Sequence, residues 1–213
     1  MRQTGLLTLL AHVGSYVPAE QFECTIVDRI FTRLGATDRI LEGESTFYVE
    51  LSETSTILRH ATNKSLILLD ELGRGTSSID GTAIACSVVD YLSKQIRCPT
   101  MFSTHYSNLL EEFKSADHVI FGHMGCVVEQ EDLNDPTNET ITFLYKLVRG
   151  ICPKSYGFNA AKLAGVPDHV IRAGFEKARE MESNIESIKL LSKLVNKSLG
   201  AKEARLLIGY LAN

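Results

Sequence analysis

The fold of this chain is predicted most directly from one segment, Ser65-Leu66-Ile67-Leu68-Leu69-Asp70-Glu71-Leu72-Gly73-Arg74-Gly75-Thr76-Ser77. Its apolar residues run into two adjacent carboxylates, Asp70 and Glu71, and then into a glycine-rich turn. A continuous apolar run of this length is typical of a strand that is buried on both faces of a parallel sheet. Because ligands bind beyond the carboxyl ends of such strands, we expect both carboxylates to lie at a binding site.

Two neighbouring carboxylates at a strand end suit a site that hydrolyses a phosphate bond, in which one holds Mg²⁺ and the other orients water. The alternative is a strand that simply ends in two solvated acids. That pattern is common, and the six residues from Leu66 to Glu71 alone would favour it.

The composition indicates a soluble globular protein, since 44% of the 213 residues are hydrophobic and 23% are charged. Five scattered cysteines without a CxxC pair favour a reduced intracellular compartment and make zinc unexpected. The sequence has no apolar run of 18 residues and no signal-peptide pattern, so we expect a protein that is neither secreted nor membrane-spanning. With a net charge of −4, most of the chain lacks an electrostatic footprint for DNA; only the tail, residues 184–213, is basic.

Hydrophobic spacing predicts the remaining elements of the first 105 residues. We expect helices within residues 1–13, 46–61 and 83–93, a strand at 24–31, a second buried strand at 99–104, and a loop at 73–81. Ser45 or Thr46 is the expected N-cap of the second helix, where free backbone N–H groups suit a phosphate, although most such caps bind nothing. A lone histidine is usually structural or simply exposed, yet His105 follows the last strand on the same edge as Asp70 and Glu71, and this position raises the expectation of a ligand contact.

The last third of the chain predicts a hairpin and a helix-turn-helix outline. The strands are expected at residues 118–128 and 140–148, at the edge of the sheet, and the helices at 155–164 and 168–181, with Asp168 as the N-cap of the second. The second helix mixes acidic and basic residues, which favours packing against another helix over binding DNA phosphates.

Several quoted runs together resemble the ATPase domain of the MutS family of DNA mismatch repair proteins, a branch of the ABC-type ATPases. These runs are Gly14-Ser15-Tyr16-Val17-Pro18-Ala19, Asp28-Arg29-Ile30-Phe31-Thr32-Arg33-Leu34-Gly35-Ala36, Ser45-Thr46-Phe47-Tyr48-Val49-Glu50-Leu51, Leu69-Asp70-Glu71-Leu72-Gly73-Arg74-Gly75-Thr76-Ser77, Ser103-Thr104-His105-Tyr106 and Ser155-Tyr156-Gly157-Phe158. The resemblance covers roughly residues 1–182, and within the family it is greatest to the eukaryotic homologue that reads base mismatches in a nuclear heterodimer.

The resemblance implies a role for each matching position. Asp70 would hold Mg²⁺, Glu71 would polarise the attacking water, and His105 would sense the γ-phosphate of ATP. Ser45 and Thr46 would reach the nucleotide of the opposite subunit. A loop between the two sites would be formed by Gly73, Arg74, Gly75, Thr76, Ser77 and Asp80.

The chain departs from the family in one respect, because it contains no GxxxxGK[ST] phosphate-binding loop. We therefore expect an α/β fold, an ABC-type P-loop NTPase sheet flanked by helices but without the P-loop strand, followed by a C-terminal helix-turn-helix dimerisation appendage. The expected divisions are a partial ATPase domain at residues 1–150, a dimerisation segment at 151–182 and a helical basic tail at 183–213.

The leading hypothesis is the C-terminal part of a DNA mismatch repair ATPase that couples ATP binding and hydrolysis in a dimer to recognition of mismatched DNA. The implied partners are another MutS-family subunit and mismatched double-stranded DNA, contacted through domains outside this chain, with no membrane partner; the implied location is the nucleus. ATP and Mg²⁺ are the implied cofactors of the full-length parent. The alternative is a truncated dimerisation module without ATP turnover, so catalysis by this chain alone stays open.

Overall fold

A computed structural model of the chain describes residues 1–35, 45–129, 132 and 135–195, with the side chains of residues 193–195 excepted. The fold is mixed α/β, and the chain divides into two compact units, residues 1–120 and 121–213. The predicted helical tail, residues 183–213, lies outside the described residues from residue 196 onwards.

The first unit is built on a parallel sheet of three strands, in the order β1-β2-β3. These are β1 (Ile30–Arg33), β2 (Leu66–Asp70) and β3 (Thr100–Ser103). Strand β2 lies in the middle, and Ile67, Leu68 and Leu69 are fully buried. The prediction of a central strand buried on both faces is confirmed.

The described residues of this unit form four helices beside the sheet: α1 (Arg2–His12), α2 (Thr46–His60), α3 (Ser78–Tyr91), which continues as a π-helical turn (Leu92–Ile96), and α4 (Ser107–Phe113). The core cluster draws on α2, β2 and the α3 region, with Ile57, Leu69 and Val88 among its buried members. Each such side chain contributes about 1.5–3 kcal/mol by leaving water. This packing fixes the end of β2 relative to α2 and α3.

Two predicted boundaries and the predicted burial of one strand are wrong in this unit. Strand β1 begins at Ile30 instead of residue 24, because its partner begins at Leu66, and Ile30 pairs with that residue. Helix α3 begins at Ser78 instead of residue 83, because the Ser77 hydroxyl accepts the N–H of Asp80 and caps it. Strand β3 is half-buried to exposed, not buried, because only one of its edges pairs within the described sheet.

The second unit contains the predicted hairpin and two helices: β4 (Gly122–Glu129), β5 (Thr140–Arg149), α5 (Gly157–Leu163) and α6 (Asp168–Val195). The two strands pair with each other as a separate two-stranded antiparallel sheet, so the expectation that they extend the main sheet is wrong for the described residues. Helix α6 continues past residue 181 to Val195, and Asp168 lies inside its first turn.

Polar contacts connect the residues before β5 to α6, and an aromatic contact connects α5 to α6. Arg172 Nε donates to Asp135 Oδ2 at 2.8 Å, and Arg172 Nη2 donates to the Thr137 hydroxyl at 2.9 Å. Hydrogen bonds from Thr137 and then from Arg172 lower the pKa of Asp135 to about 2. Phe158 of α5 packs edge-to-face on Phe175 of α6, with ring centroids 5.5 Å apart. The two helices thus pack on each other, as the mixed charges of α6 predicted.

None of the described helices combines the length and the apolar character that crossing a membrane requires.

Candidate functional site

Asp70 and Glu71 lie at the carboxyl end of β2, the middle strand. Asp70 pairs in register with Ser103, the last residue of β3, and accepts a hydrogen bond from its hydroxyl. Glu71 has a φ of 51°, a left-handed conformation that is unusual for a side-chain-bearing residue. Its N–H still donates to the Ser103 carbonyl at 3.0 Å. The backbone therefore turns sharply between the two carboxylates.

His105 lies on the same edge of the sheet, two residues beyond β3. Its Nδ1 is 3.8 Å from Glu71 Oε1, and both side chains are accessible, at 59% and 40% exposure. The other Glu71 oxygen accepts from Arg74 Nη1 at 2.8 Å. The predicted meeting of these side chains arises because parallel strands place their carboxyl ends at one edge. Because both side chains face solvent, the His105 imidazole and the Glu71 carboxylate could contact a phosphate group and a water molecule beside it.

The loop predicted to connect two sites is mostly a tight turn that leads into α3. A Cβ placed on Gly75 would lie 2.8 Å from Phe47 Cβ, so Gly75 is packed against the first turn of α2. Thr76 is half-buried in this turn. Ser77 caps α3 and its hydroxyl also donates to Asp80 Oδ2 at 2.9 Å. Asp80 therefore lies in the first turn of a helix and not in a loop.

Ser45 is the N-cap of α2, as predicted, and Thr46 is the first residue of that helix. The exposed Ser45 hydroxyl accepts the N–H of Tyr48 at 3.2 Å. Among the described residues, no hydrogen bond or ion pair joins Ser45 or Thr46 to Asp70 or His105. The structure thus brings the carboxylates and the histidine together, while the start of α2 reaches this region through the contact of Phe47 with Gly75.

Two residues near the site were missed in the sequence, Glu50 and Tyr106. Glu50 is 5% exposed and accepts the N–H of Gly73, and the Tyr106 hydroxyl donates to the carbonyl of Gly73 at 2.8 Å. The sequence offers one signal for Glu50: it lies one residue after Val49, between apolar positions of α2, where a carboxylate needs a buried partner. That partner is provided in part by Arg33, whose Nη2 lies 3.6 Å from Glu50 Oε2.

Comparison with known proteins identifies the class of protein. The family described as MutS domain V matches residues 1–182, the range of the resemblance drawn from the motifs. The chain therefore belongs to the MutS family of DNA mismatch repair proteins.

Within this family the chain is similar to animal Msh6 proteins. It is 58% identical to the DNA mismatch repair protein Msh6 of chicken over 89% of its length, and 58% identical to that of human over 91%. It is 53% identical to the probable Msh6 of Drosophila melanogaster over 96%. The chain spans 14% of the length of the two vertebrate proteins and 17% of the fly protein.

Proposed function

We propose that this domain forms the hydrolytic side of an ATP site in a mismatch repair protein, which couples ATP binding and hydrolysis in a dimer to recognition of mismatched DNA. The observation that supports it most is the meeting of Asp70, Glu71 and His105 at one edge of a parallel sheet. Phosphoryl transfer requires an oxygen ligand for a metal, a group that orients water and a donor near the transferred phosphate. These three side chains match that set.

The oxygen atoms of Asp70 and of its neighbour Ser103 are suitable ligands for Mg²⁺. A carboxylate and the Ser103 hydroxyl are oxygen groups, which this ion prefers. Among the described residues, no group of three or more His, Cys, Asp or Glu could enclose a metal. Nucleotide sites usually hold Mg²⁺ with one or two carboxylates, phosphates and water, so a single aspartate suffices. When bound, the ion would neutralise phosphate charge, and Asp70 would hold it through water.

Glu71 and His105 would act on the two ends of the reacting system. The Glu71 carboxylate would accept a hydrogen bond from the attacking water and orient it, while an imidazole N–H of His105 would donate to the γ-phosphate. The Arg74 contact does not prevent this, because Arg74 is 75% exposed and surface ion pairs are worth only about 0–1 kcal/mol. Glu71 is therefore available to water.

Ser45 and Thr46 are proposed to contact the nucleotide held by the other subunit. Capping uses an oxygen lone pair of Ser45 and leaves its O–H free to donate. The first backbone N–H groups of α2 have no partner within the helix and add a positive dipole end. The proposed loop between the two sites, Gly73 to Asp80, contacts this helix start through Gly75, which packs on Phe47.

The proposed partners follow from the family. The relatives are named DNA mismatch repair proteins, so we propose a heterodimer with another MutS-family subunit, action on mismatched double-stranded DNA, and a nuclear location. Since this chain covers 14% of the human relative and carries a net charge of −4, we assign DNA contact to parts of the protein outside these 213 residues.

A second function is favoured by one observation on α6. This helix exposes a row of apolar side chains that would suit a helical interface: Met181, Ile185, Ile188 and Leu191. The alternative is thus a dimerisation module that has no ATP turnover of its own. It predicts that changes at Asp70 or Glu71 leave every ATP-dependent activity of the dimer unchanged.

The test is Glu71→Gln in the whole protein, assembled with its partner subunit. We expect ATP binding to this subunit to persist and its hydrolysis to fall by at least about a hundredfold, because the attacking water loses the carboxylate that orients and polarises it. Glu112→Gln, on the exposed face of α4, is the matched control. Single-turnover hydrolysis of labelled ATP measures both. A Glu71→Gln subunit that hydrolyses ATP at the control rate would contradict the proposal.

A further inference from the structure

The backbone of Gly73 is held from both sides, at its N–H and at its carbonyl. Its N–H donates to the buried carboxylate of Glu50 on α2, and its carbonyl accepts from the Tyr106 hydroxyl at 2.8 Å. Glu50 lies 23 residues before Gly73, and Tyr106 lies 33 residues after it. Two distant parts of the first unit therefore converge on one residue, two positions beyond Glu71. We call this arrangement the Gly73 clasp.

The clasp leaves no room for a side chain at Gly73 or Gly81. Gly73 has a φ of 93°, and a Cβ added to it would lie 2.5 Å from the Gly81 carbonyl oxygen. A Cβ added to Gly81 would in turn lie 2.6 Å from the Tyr106 hydroxyl. Contacts this close have no ordinary counterpart between real side chains and backbone. The two glycines let the Tyr106 hydroxyl reach the Gly73 carbonyl, so the hydrogen bond depends on this packing.

Glu50 is itself fixed by a buried cation. Arg33, at the end of β1, lies 3.6 Å from Glu50 Oε2, and both side chains are at most 7% exposed. Burying an ion pair costs desolvation free energy that the attraction does not always repay, so such a pair is weak evidence for a purely stabilising role. Its geometric effect is clear, since it orients one carboxylate towards the N–H of Gly73.

We propose that Glu50 and Tyr106 are positioning residues, which hold the turn after β2 in the conformation that places the Glu71 carboxylate. This inference rests on the proposed function, because it concerns the same site. Glu71 has a positive φ of 51°, a backbone conformation that persists only where the surroundings impose it. Its own N–H is fixed by the Ser103 carbonyl at 3.0 Å. The Gly73 clasp supplies the second fixed point, on the other side of Glu71.

Neither residue needs to touch the nucleotide for this role. Loss of the clasp would let the turn relax and spread Glu71 over several positions, while the Asp70 carboxylate, paired with Ser103 inside the sheet register, would stay in place. Misplacing a catalytic group by about 1 Å slows a reaction by about a hundredfold without changing the contacts that bind the substrate. The expected signature is therefore slower hydrolysis with unchanged ATP affinity.

Tyr106→Phe is the main test, in the whole protein assembled with its partner subunit. It removes only the hydroxyl and keeps the ring, whose centroid is 4.6 Å from that of His105. We expect kcat at this subunit's site to fall on the order of tenfold, with the ATP dissociation constant unchanged within about twofold. Tyr91→Phe, at an exposed tyrosine of α3, is the matched control and should match wild type.

Glu50 variants give a second measurement. Glu50→Gln keeps an oxygen that can accept the N–H of Gly73, whereas Glu50→Leu has no acceptor. We expect hydrolysis to be faster in the glutamine variant than in the leucine variant, and melting temperatures identify any variant that fails to fold. If the leucine variant is unfolded, the comparison of Tyr106→Phe with Tyr91→Phe decides alone.

The Glu71→Gln variant separates the two proposals. If Glu71→Gln loses hydrolysis while Tyr106→Phe retains the wild-type kcat, the positioning role is wrong and the proposed function stands. A rise in KM with unchanged kcat in Tyr106→Phe would also overturn the positioning role, since it would mean a contact that binds substrate. If Glu71→Gln retains full hydrolysis, both proposals fail.

Discussion

The observed helix cap of Ser45 and its proposed phosphate contact can be tested separately, because capping and phosphate binding would use different parts of its hydroxyl. In the structure its oxygen accepts the N–H of Tyr48 at 3.2 Å. Aspartate and asparagine cap helices as well as serine does. Donation to a phosphate instead requires a hydrogen, which aspartate lacks and replaces with a negative charge. Ser45→Ala, Ser45→Asp and Ser45→Asn therefore remove different parts of the function.

The expected magnitudes differ for the two roles. Ser45→Ala loses the cap of α2, at a cost of about 0.5–2 kcal/mol in stability, whereas Ser45→Asp keeps it and should melt like wild type. A hydrogen bond to a charged phosphate is worth about 1.5–3 kcal/mol, which corresponds to roughly a 10- to 150-fold change in rate. We expect hydrolysis in the partner subunit to fall by this amount in the alanine variant and at least as much in the aspartate variant. The asparagine variant, whose amide can donate, should lie between these and wild type.

The assay follows one ATP site at a time. Glu71→Gln in the same chain silences its own site, so the remaining single-turnover hydrolysis reports the partner's site; silencing the partner's site reports the converse. The result that would refute the reasoning is a Ser45→Asp protein whose partner site hydrolyses ATP at the wild-type rate. Slower hydrolysis in its own subunit alone would refute it as well. In either case Ser45 would be a helix cap and nothing more.

Two further predictions concern stability. Leu68→Ala should destabilise the first unit by about 2–5 kcal/mol, because Leu68 is fully buried in β2; denaturant unfolding measures this, with the 82% exposed Ile79→Ala as a control within about 0.5 kcal/mol. Asp135→Asn should lower the stability of the second unit at neutral pH, and the difference should vanish as the pH falls from 3.8 through about 2, where wild-type Asp135 also becomes protonated; a difference that stays constant down to pH 2 would contradict this.

The sequence predicted those parts of the site that depend on local pattern. The apolar run predicted β2 as the buried central strand, and the serine before an apolar-periodic segment predicted the cap of α2. The position of His105 beside Glu71 was predicted correctly because β3 runs parallel to β2, which brings residues that follow the two strands to one edge. Each of these inferences needs only a short window of sequence and one general rule of sheet geometry.

The Gly73 clasp could not be predicted in this way. Glu50 and Tyr106 are separated from Gly73 by 23 and 33 residues, and no periodicity within a helix or strand encodes such a contact. The prediction of where β1 starts was wrong for the same reason, because pairing of Ile30 with Leu66 sets that start. The start of α3 was different, since a serine three residues before an acidic residue, Ser77 and Asp80, was a usable capping signal.

The structure also distinguishes two carboxylates that the sequence presents as a simple pair. Asp70 keeps strand geometry and accepts a hydrogen bond from the Ser103 hydroxyl. Its carboxylate therefore has a fixed position and a neutral hydroxyl oxygen beside it. The positive φ of Glu71 turns the next residue out of the strand, and its carboxylate contacts Arg74 and His105 instead. A metal ligand needs the first environment, because hard cations bind oxygen donors of fixed geometry. A group that orients water needs the second, since it must exchange partners, and an exposed ion pair costs little to break.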